Sequence, residues 1–225
     1  MSLLFRISGA FILLQVGLLC LGTEQVTADE TSRVLAGIRL KYARLPGLTA
    51  PYTREVITRS MSMLGNHVKG DLATGRICFK PPFYLRLEQA RPRKEIMVAD
   101  GKTLWWYIPE KKEVHQYPFQ KFGKELKVLG DIFQGLVRVE ETFRVSMPPQ
   151  KGLEGYRIAL TPDPPWQEID RIVLTVGRSY DIREIDIHNP FGSITRFRLK
   201  EPIPQRLDTD FFRFSPLPGV KVIKE

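Results

Sequence analysis

Short strand-like segments dominate the sequence from Tyr52 onward. They are rich in β-branched and aromatic residues and are separated by turn signals. In the clearest segment, Phe83, Leu85 and Leu87 alternate with more polar residues, which is typical of a strand with one buried face. This pattern restricts the chain to a largely antiparallel β body whose sheet has one apolar face.

Turn signals order the predicted strands. Asp100-Gly101 predicts a tight hairpin, Pro109 to Lys112 predicts the next turn, and Asn189 to Gly192 predicts a hairpin late in the chain. We expect about ten to eleven strands, without an internal repeat or a flexible linker. The strands with the clearest bounds are 83–88, 95–99, 103–108, 113–117, 138–147, 155–161, 169–176, 182–188 and 193–200.

Two segments have a helical period instead. The first follows Thr31 and Ser32, which can cap a helix, and ends at Pro46-Gly47. The second covers 122–137 and contains three glycines, each of which costs about 1 kcal/mol relative to alanine inside a helix. Such a weak helix is compatible with a lid that opens, or with an ordinary covering helix that uses glycines for close packing. The glycines are Gly123, Gly130 and Gly135, and the apolar positions are Val34, Leu35, Ile38, Tyr42 and Leu45 in the first helix and Phe122, Leu126, Leu129, Phe133 and Leu136 in the second.

The start of the chain has the pattern of an export signal. Arg6 precedes an apolar run over 7–21 that is too short for a membrane span. Val26 and Ala28 are small residues at the positions that a signal peptidase requires for a cut before Asp29. The chain is therefore expected to be secreted.

This cut divides the chain into a cleavable signal peptide, residues 1–28, and a single domain, residues 29–225. Cys20 raises the alternative of a lipid-anchored protein, but Leu19 stands where lipid attachment requires glycine or alanine, so the soluble product is favoured. Cys78 is then the only cysteine of the domain, and it is predicted to be a small buried side chain rather than a reactive thiol.

The charge of the chain is strongly basic, with 34 Lys and Arg against 25 Asp and Glu and a net charge of +9. Export removes nucleic acid from the expected partners. Anionic lipid surfaces and acidic proteins are the remaining candidates, and a merely solvated basic surface is an equal alternative.

The sequence gives little sign of catalysis. His67, His115 and His188 are each alone in their segments, so local spacing suggests neither a metal site nor a catalytic dyad. The sequence also lacks a phosphate-binding loop, a nucleophile elbow and a zinc-protease motif. We therefore expect a protein that is not an enzyme and needs no cofactor or metal.

Three consecutive aromatic residues give a more specific indication. Trp105, Trp106 and Tyr107 lie within one predicted strand, so they must point to both faces of the sheet. If Trp105 and Tyr107 face the apolar side, they line a cavity and Trp106 lies outside. The opposite assignment, or a plain hydrophobic core under the helices, fits the same residues.

Several motifs, taken in order, resemble those of the LolA family of outer-membrane lipoprotein carriers. The resemblance covers nearly all of the predicted domain, and its most specific stretch surrounds the hairpin at Asp100-Gly101. The matching stretches are Gly75-Arg76-Ile77-Cys78-Phe79-Lys80-Pro81-Pro82, Leu85-Arg86-Leu87, Val98 through Pro109, Ala159-Leu160-Thr161-Pro162, Ile185 through Thr195, Phe212-Arg213-Phe214-Ser215-Pro216 and Pro218-Gly219-Val220.

The resemblance implies an α+β fold, with an incomplete, half-open antiparallel β-barrel and helices that cover its concave apolar face. It also implies a periplasmic carrier that receives acylated lipoproteins from an inner-membrane ABC-type lipoprotein-releasing complex and delivers them to an outer-membrane receptor. We expect it to act as a monomer. The residues expected to form the acyl-chain-binding cavity or its lid are Ile38, Tyr42, Leu85, Leu87, Trp105, Tyr107, Leu129, Phe133 and Leu136.

One departure from the family pattern concerns the lid. Many members place an arginine between the residues equivalent to Lys80 and Pro82, where it ties the lid shut, and this chain has Pro81 there. Lys80 or Arg86 is a candidate replacement. Three other functions stay open: a carrier of another lipid or glycolipid, an outer-membrane lipoprotein receptor or insertion protein, and a periplasmic enzyme.

Overall fold

The computed structural model describes residues 22–63, 70–118, 124–148 and 154–225. The apolar run of the predicted signal peptide, Cys20, His67 and Gly123 lie outside the described residues. The predicted cut before Asp29 falls within the first helix, and the division into signal peptide and domain stays a prediction. Within the described ranges, no helix is long and apolar enough to cross a membrane.

Three helices and thirteen strands make up the described fold. The helices are α1 (Gly22–Tyr42), α2 (Arg59–Met63) and α3 (Lys124–Phe133). The strands are β1 (Leu48–Ile57), β2 (Asp71–Lys80), β3 (Tyr84–Arg91), β4 (Glu95–Ala99), β5 (Thr103–Ile108), β6 (Glu113–Pro118), β7 (Phe143–Ser146), β8 (Tyr156–Pro162), β9 (Arg171–Val176), β10 (Ile182–His188), β11 (Ile194–Leu199), β12 (Ile203–Pro204) and β13 (Lys221–Lys224).

All strands belong to one open sheet, in the order β13-β6-β5-β4-β3-β2-β1-β11-β10-β9-β8-β7, with the short β12 paired to β1. The two ends of this order, β13 and β7, do not pair with each other, so the barrel is incomplete as predicted. Neighbouring strands are antiparallel except β13, which runs parallel to β6. The structure has more strands than expected, because short strands such as β12 and β13 have no clear alternation in sequence.

The predicted hairpins form through side-chain caps. The Asp100 carboxylate accepts hydrogen bonds from the amides of Lys102 and Thr103, each at 2.8 Å. Gly101 follows with φ of +86°, in the left-handed region that favours glycine. The Asn189 side chain caps its turn in the same way, accepting a bond from the Phe191 amide at 3.0 Å.

One predicted strand is shorter than expected. The apolar pattern over 138–147 suggested a continuous strand, but Val139–Glu141 form a 3₁₀ turn and β7 begins only at Phe143. The turn arises because Val139 is buried in the core while Glu140 forms an ion pair with Arg39 of α1. Tertiary contacts therefore override the local strand preference.

The concave face of the sheet carries the main core. Registered neighbours such as Phe79, Leu85, Ala99 and Leu104 share this face across β2 to β5, and all are buried. The apolar sides of α1 and α3 pack onto it and belong to the same cluster. The helices thus form a roof over the concave face.

A second, smaller cluster lies on the outer face. It joins Cys78 and Val98 of the sheet to Leu207 and Phe212 of the C-terminal segment, and partly buried aromatic residues surround it. The sheet is consequently covered on both sides over β2 to β5, by helices on one face and by the C-terminal segment on the other.

Candidate functional site

The floor of the candidate site is built by strands in register. Leu85 of β3 pairs with Phe79 and Ala99, and Leu87 pairs with Ile77 and Met97. Because directly opposite residues in a sheet project to the same face, these side chains form one apolar surface. Leu85 and Leu87 are both buried there, as part of the main cluster.

Helix α1 supplies one part of the roof. Ile38 is fully buried and Tyr42 is nearly so. The Tyr42 hydroxyl accepts a hydrogen bond from the Ile182 amide at 3.0 Å, which fixes the end of the helix against β10. Burial raises the pKa of Tyr42 to about 12, so the phenol is neutral.

Helix α3 supplies the other part. Leu129, Phe133 and Leu136 are each 1% exposed and lie in the main cluster. The Phe133 ring packs on Phe79 of the floor, with ring centroids 5.8 Å apart. Residues predicted from separate parts of the sequence therefore meet in one place, and they are Ile38, Tyr42, Leu85, Leu87, Leu129, Phe133 and Leu136.

Two glycines of the second helical segment have different surroundings. Gly135 ends α3 with φ of +80°, and a Cβ added there would lie 2.9 Å from Cβ of Tyr42. The Gly135 amide donates a hydrogen bond to the Ile132 carbonyl oxygen, and the Leu136 amide donates one to the Asp131 carbonyl oxygen. This pair of bonds is the Schellman pattern of a helix end. A Cβ added at Gly130 would meet nothing within 4 Å. Close packing therefore accounts for Gly135 but not for Gly130, which only weakens the helix.

A few polar contacts hold α3 in place. Arg39 of α1 donates to the Leu136 carbonyl oxygen from Nε at 3.3 Å and from Nη2 at 3.2 Å, and also pairs with Glu140. This guanidinium holds the pKa of Glu140 below its usual value. On the other side, the Gln134 amide donates to the Pro82 carbonyl oxygen at 2.6 Å.

The two residues proposed as replacements for the family arginine do not contact α3. Lys80 donates instead to the Thr209 hydroxyl at 2.6 Å, and Arg86 donates to the Phe211 carbonyl at 3.0 Å. Both residues lie on the outer face, where alternation along β2 and β3 directs them. The tie to the roof comes from Arg39, which the sequence did not single out because it is a charged residue beside an apolar stripe.

The predicted orientation of Trp105 and Tyr107 is wrong. Both rings pack against Phe214 on the outer face, with centroid distances of 5.7 and 5.5 Å. They therefore do not line the cavity under the helices. The strand has the reverse orientation, left open by the sequence, because Leu104 fills the concave core and Trp106 shares its face.

Trp106 begins a half-exposed stretch of the concave face. Its ring lies 5.5 Å from that of His115, and the His115 ring stacks on Tyr117 at 6.2 Å. Met97 pairs with Trp106 across the strands and is also half-buried. In the described part of the chain, the apolar face thus continues from the buried core toward solvent along β4 to β6.

The described residues give little sign of a metal site or of a reactive nucleophile. Within the described ranges, no three His, Cys, Asp or Glu side chains lie close enough to hold a metal ion. Cys78 is buried, and burial raises the pKa of its thiol. The arrangement is that of an apolar core packed between the sheet and two helices.

Comparison with known proteins accords with this architecture. Residues 64–215, more than half of the chain, match the family described as outer membrane lipoprotein carrier protein LolA. The chain belongs to the LolA family. The matched range contains strands β2 to β12 and helix α3.

Named relatives of this LolA family member extend the match. The outer-membrane lipoprotein carrier protein of Pseudomonas paraeruginosa is 25% identical over 221 residues, covering 93% of this chain and 96% of the relative. That of Nitrosospira multiformis is 26% identical over 157 residues, covering 68% and 73%. An uncharacterized conserved protein from Thermus thermophilus has a similar fold, with a TM-score of 0.55 at 10% identity over 87% of this chain and 99% of that protein.

Proposed function

We propose that this protein is a periplasmic carrier that binds the acyl chains of lipoproteins released from the inner membrane and delivers them to an outer-membrane receptor. The observation that carries the proposal is the continuous apolar concave face, roofed by two helices whose apolar sides pack onto it. Membership of the LolA family and the names of the relatives support the same role.

The energetics explain why such a face is useful. Transfer of an acyl chain from a membrane to water costs about 0.8 kcal/mol for each CH₂ group. A carrier must therefore offer an apolar surface of comparable extent. The main cluster provides one, because it runs continuously from the floor strands to α1 and α3.

Opening of the roof is the step that would expose this surface. Displacement of α3 breaks the bonds from Arg39 to Leu136 and from Gln134 to Pro82. It also uncovers apolar side chains such as Phe133. A bound acyl chain would restore these apolar contacts, so α3 and the cargo exchange places on the floor at a small net cost. Gly130 weakens α3 and favours this exchange.

The partners follow from the direction of transport. We propose that an inner-membrane ABC-type complex loads the carrier and that an outer-membrane receptor unloads it, without ATP bound by the carrier itself. The basic surface, with 34 Lys and Arg against 25 Asp and Glu, would favour acidic regions of these partners.

The first test is native mass spectrometry on the protein purified from the periplasm of a Gram-negative host. The host also produces a tagged lipoprotein in an acylated form or in a form that lacks acylation. We expect a one-to-one complex with the acylated form alone. Equal binding of both forms, or of neither, would contradict the proposal, and copurification of a free lipid would favour the alternative of a general lipid carrier.

Photo-crosslinking can locate the bound cargo, and the residue next to the test position serves as the control. A photoreactive phenylalanine derivative replaces Trp106, on the half-exposed concave face, or Trp105, which packs on Phe214 at the outer face. We expect crosslinks to acylated lipoprotein from position 106 and none from position 105. Stronger crosslinking from position 105 would place the cargo on the outer face and reject the cavity.

A further inference from the structure

An arginine interrupts the apolar concave face. Arg54 of β1 lies opposite Ala73 of β2 and Phe197 of β11, both of which are buried. Alternation along β1 places Tyr52 and Leu48 on the same face as Arg54. A guanidinium is therefore built into the lining of the apolar surface, near one end of it.

This guanidinium is incompletely satisfied. Its Nη2 donates to the side-chain oxygen of Gln89 at 3.2 Å. Its Nε is inaccessible to solvent and has no hydrogen-bond partner among the described residues. The hydrogen bond of its charged head thus goes to a neutral group. Placing a charge in such surroundings is costly unless an opposite charge accompanies it.

Other arginines in the same strands are paired. Arg196 of β11 makes two bonds to Asp186, each at 2.7 Å, and Arg198 pairs with Glu184 and Glu55 at 2.9 and 3.1 Å. These side chains lie on the outer face. In the described ranges, no ion pair of this kind joins Arg54 to a carboxylate. Arg196 and Arg198 thus have acidic partners, and Arg54 on the concave face has none among the described ion pairs.

The direct hydrogen-bond partner of Arg54 is a neutral amide. Gln89 is 9% exposed, and its amide nitrogen donates to the Arg93 carbonyl at 2.9 Å, so its oxygen is directed toward Arg54. Glu95, opposite Gln89, accepts a bond from Trp106 Nε1 at 3.1 Å. The acid beside Gln89 on this face thus bonds to an indole and makes no direct ion pair with Arg54, although its charge lies in the same small polar region that closes one end of the apolar surface.

Distance along β1 relates this polar region to the cavity. Arg54 lies six positions after Leu48, and a strand advances about 3.3 Å per position, which gives roughly 20 Å. That length is comparable to an extended palmitoyl chain. Tyr52 and Ala50 fill the positions between them on the same face, and both belong to the main cluster.

We infer that Arg54 binds the anionic head of an acyl amphiphile, a carboxylate or a phosphate, whose hydrocarbon lies along β1 under α1 and α3. The planar guanidinium can engage two oxygens of such a group at once. This inference rests on the proposed function for the acyl-chain part of the site, and it adds a head-group site and a class of ligand: single-chain anionic lipids.

The test compares ligands that differ only in the head. Calorimetry measures binding of palmitate, methyl palmitate, hexadecyl phosphate and inorganic phosphate to the delipidated protein. We expect both anionic amphiphiles to bind at least about tenfold more tightly than methyl palmitate, as one charge-assisted contact predicts. Inorganic phosphate alone should not bind measurably, because it lacks the hydrocarbon.

Variants assign the effect to Arg54. Arg54→Gln should lower the affinity for palmitate about tenfold and leave methyl palmitate unchanged. Arg144→Gln is the matched control, since it removes the same charge from an exposed outer position and should change neither. Arg54→Gln should also leave the thermal midpoint of unfolding unchanged or raised, because it removes an uncompensated charge.

The outcomes separate this inference from the proposed function. Equal affinity for palmitate and its methyl ester, with acylated lipoprotein still bound, overturns the head-group site alone. Failure of every amphiphile and of acylated lipoprotein overturns both. Binding of inorganic phosphate that depends on Arg54 would show an anion site unrelated to lipid and would overturn the inference as stated.

Discussion

Helices cover the concave face of the sheet, whereas an extended C-terminal segment covers part of the outer face. The two coverings differ in how they are held. The C-terminal segment is tied by Lys80 and Arg86, and Phe212 packs on Tyr84 with centroids 5.5 Å apart. Helix α3 and the residues after it also have polar ties, from Arg39 to the Leu136 carbonyl oxygen and from Gln134 to the Pro82 carbonyl oxygen. The difference lies in the apolar contacts, because α3 packs on the larger, continuous cluster of the concave face, where a ligand's hydrocarbon could replace it.

The difference indicates a division of labour between the two faces. If the proposed function holds, the outer cluster only stabilises the sheet, and the concave cluster both stabilises it and carries a cover that opens. Variants in one cluster should therefore affect stability alone, and variants in the other should affect both stability and acyl binding.

Truncation of a buried phenylalanine on each face gives the largest expected effect. Phe212→Ala and Phe133→Ala remove rings that are each 1% exposed, and each should lower the free energy of unfolding by about 3–4 kcal/mol. Denaturant titration measures this loss. Only Phe133→Ala should change the affinity of the folded protein for acylated lipoprotein. An equal change in the Phe212 variant would contradict the idea that only the concave face binds acyl chains.

The two glycines of the roof should respond in opposite directions. Gly135→Ala should destabilise the fold by about 1–2 kcal/mol through its left-handed backbone alone, with more from the close contact to Tyr42. Gly130→Ala should stabilise α3 by about 1 kcal/mol, because the new methyl group enters open space. Thermal unfolding measures both effects, and acyl loading should slow in Gly130→Ala. Faster loading in that variant would contradict a movable α3.

The end of α1 should be sensitive to high pH. The pKa of Tyr42 is about 12 in the fold against an ordinary value of 10.0, so the native state holds this proton more tightly than the unfolded state. The stabilisation that the neutral Tyr42 phenol gives to the folded state is complete below pH 10, and it is lost as the pH rises toward 12. Tyr42→Phe should cost about 1–2 kcal/mol at neutral pH, because the Ile182 amide loses its acceptor. Urea midpoints of the two proteins should converge above about pH 10, and parallel curves would refute the assignment.

The smallest effect is expected at the polar tie of the roof. Arg39→Gln removes the bonds to Leu136 and the pair with Glu140, and should cost about 1 kcal/mol. Because Arg39 lowers the pKa of Glu140, this stabilisation is present above the ordinary carboxyl pKa and is lost as pH falls through the lowered one.

Hydrogen exchange of the α3 amides measures opening of the roof. It should be faster in Arg39→Gln at neutral pH, and the difference from the wild type should shrink in acid. Glu140→Gln serves as the matched variant, since it keeps the bonds to Leu136 and should show a smaller increase. Unchanged exchange in both variants would show that apolar packing alone holds α3.

The residue pattern predicted the antiparallel sheet because alternation and turn residues are local signals, and the family resemblance added that the barrel is incomplete. Asp100-Gly101 and Asn189 cap their hairpins with their own side chains, so no distant contact is needed to infer them. The apolar stripes of α1 and α3 are also local signals, because each lies within one short segment of the sequence. The family resemblance then predicted that Ile38, Leu85 and Phe133 lie together, and the three belong to one buried cluster.

The face of the Trp105 strand could not be predicted in the same way. Alternation divides a strand into two sets of residues but does not say which set faces the helices. Here both sets are apolar, because a second cluster with Phe214 lies on the outer face. Arg39 and Arg54 were missed for a related reason, since a charged side chain in an apolar lining has no periodic signature.

The open sheet has a further consequence for solubility. Its two edge strands, β7 and β13, leave backbone groups that a second chain could pair with, which is the usual route to edge-to-edge aggregation. Each edge strand has only four residues. Arg144 and Lys221, one on each edge, have side chains that are 73% and 71% exposed. Short edges with a long charged side chain on each leave little backbone for a second chain to pair with, which opposes edge-to-edge association of an open barrel.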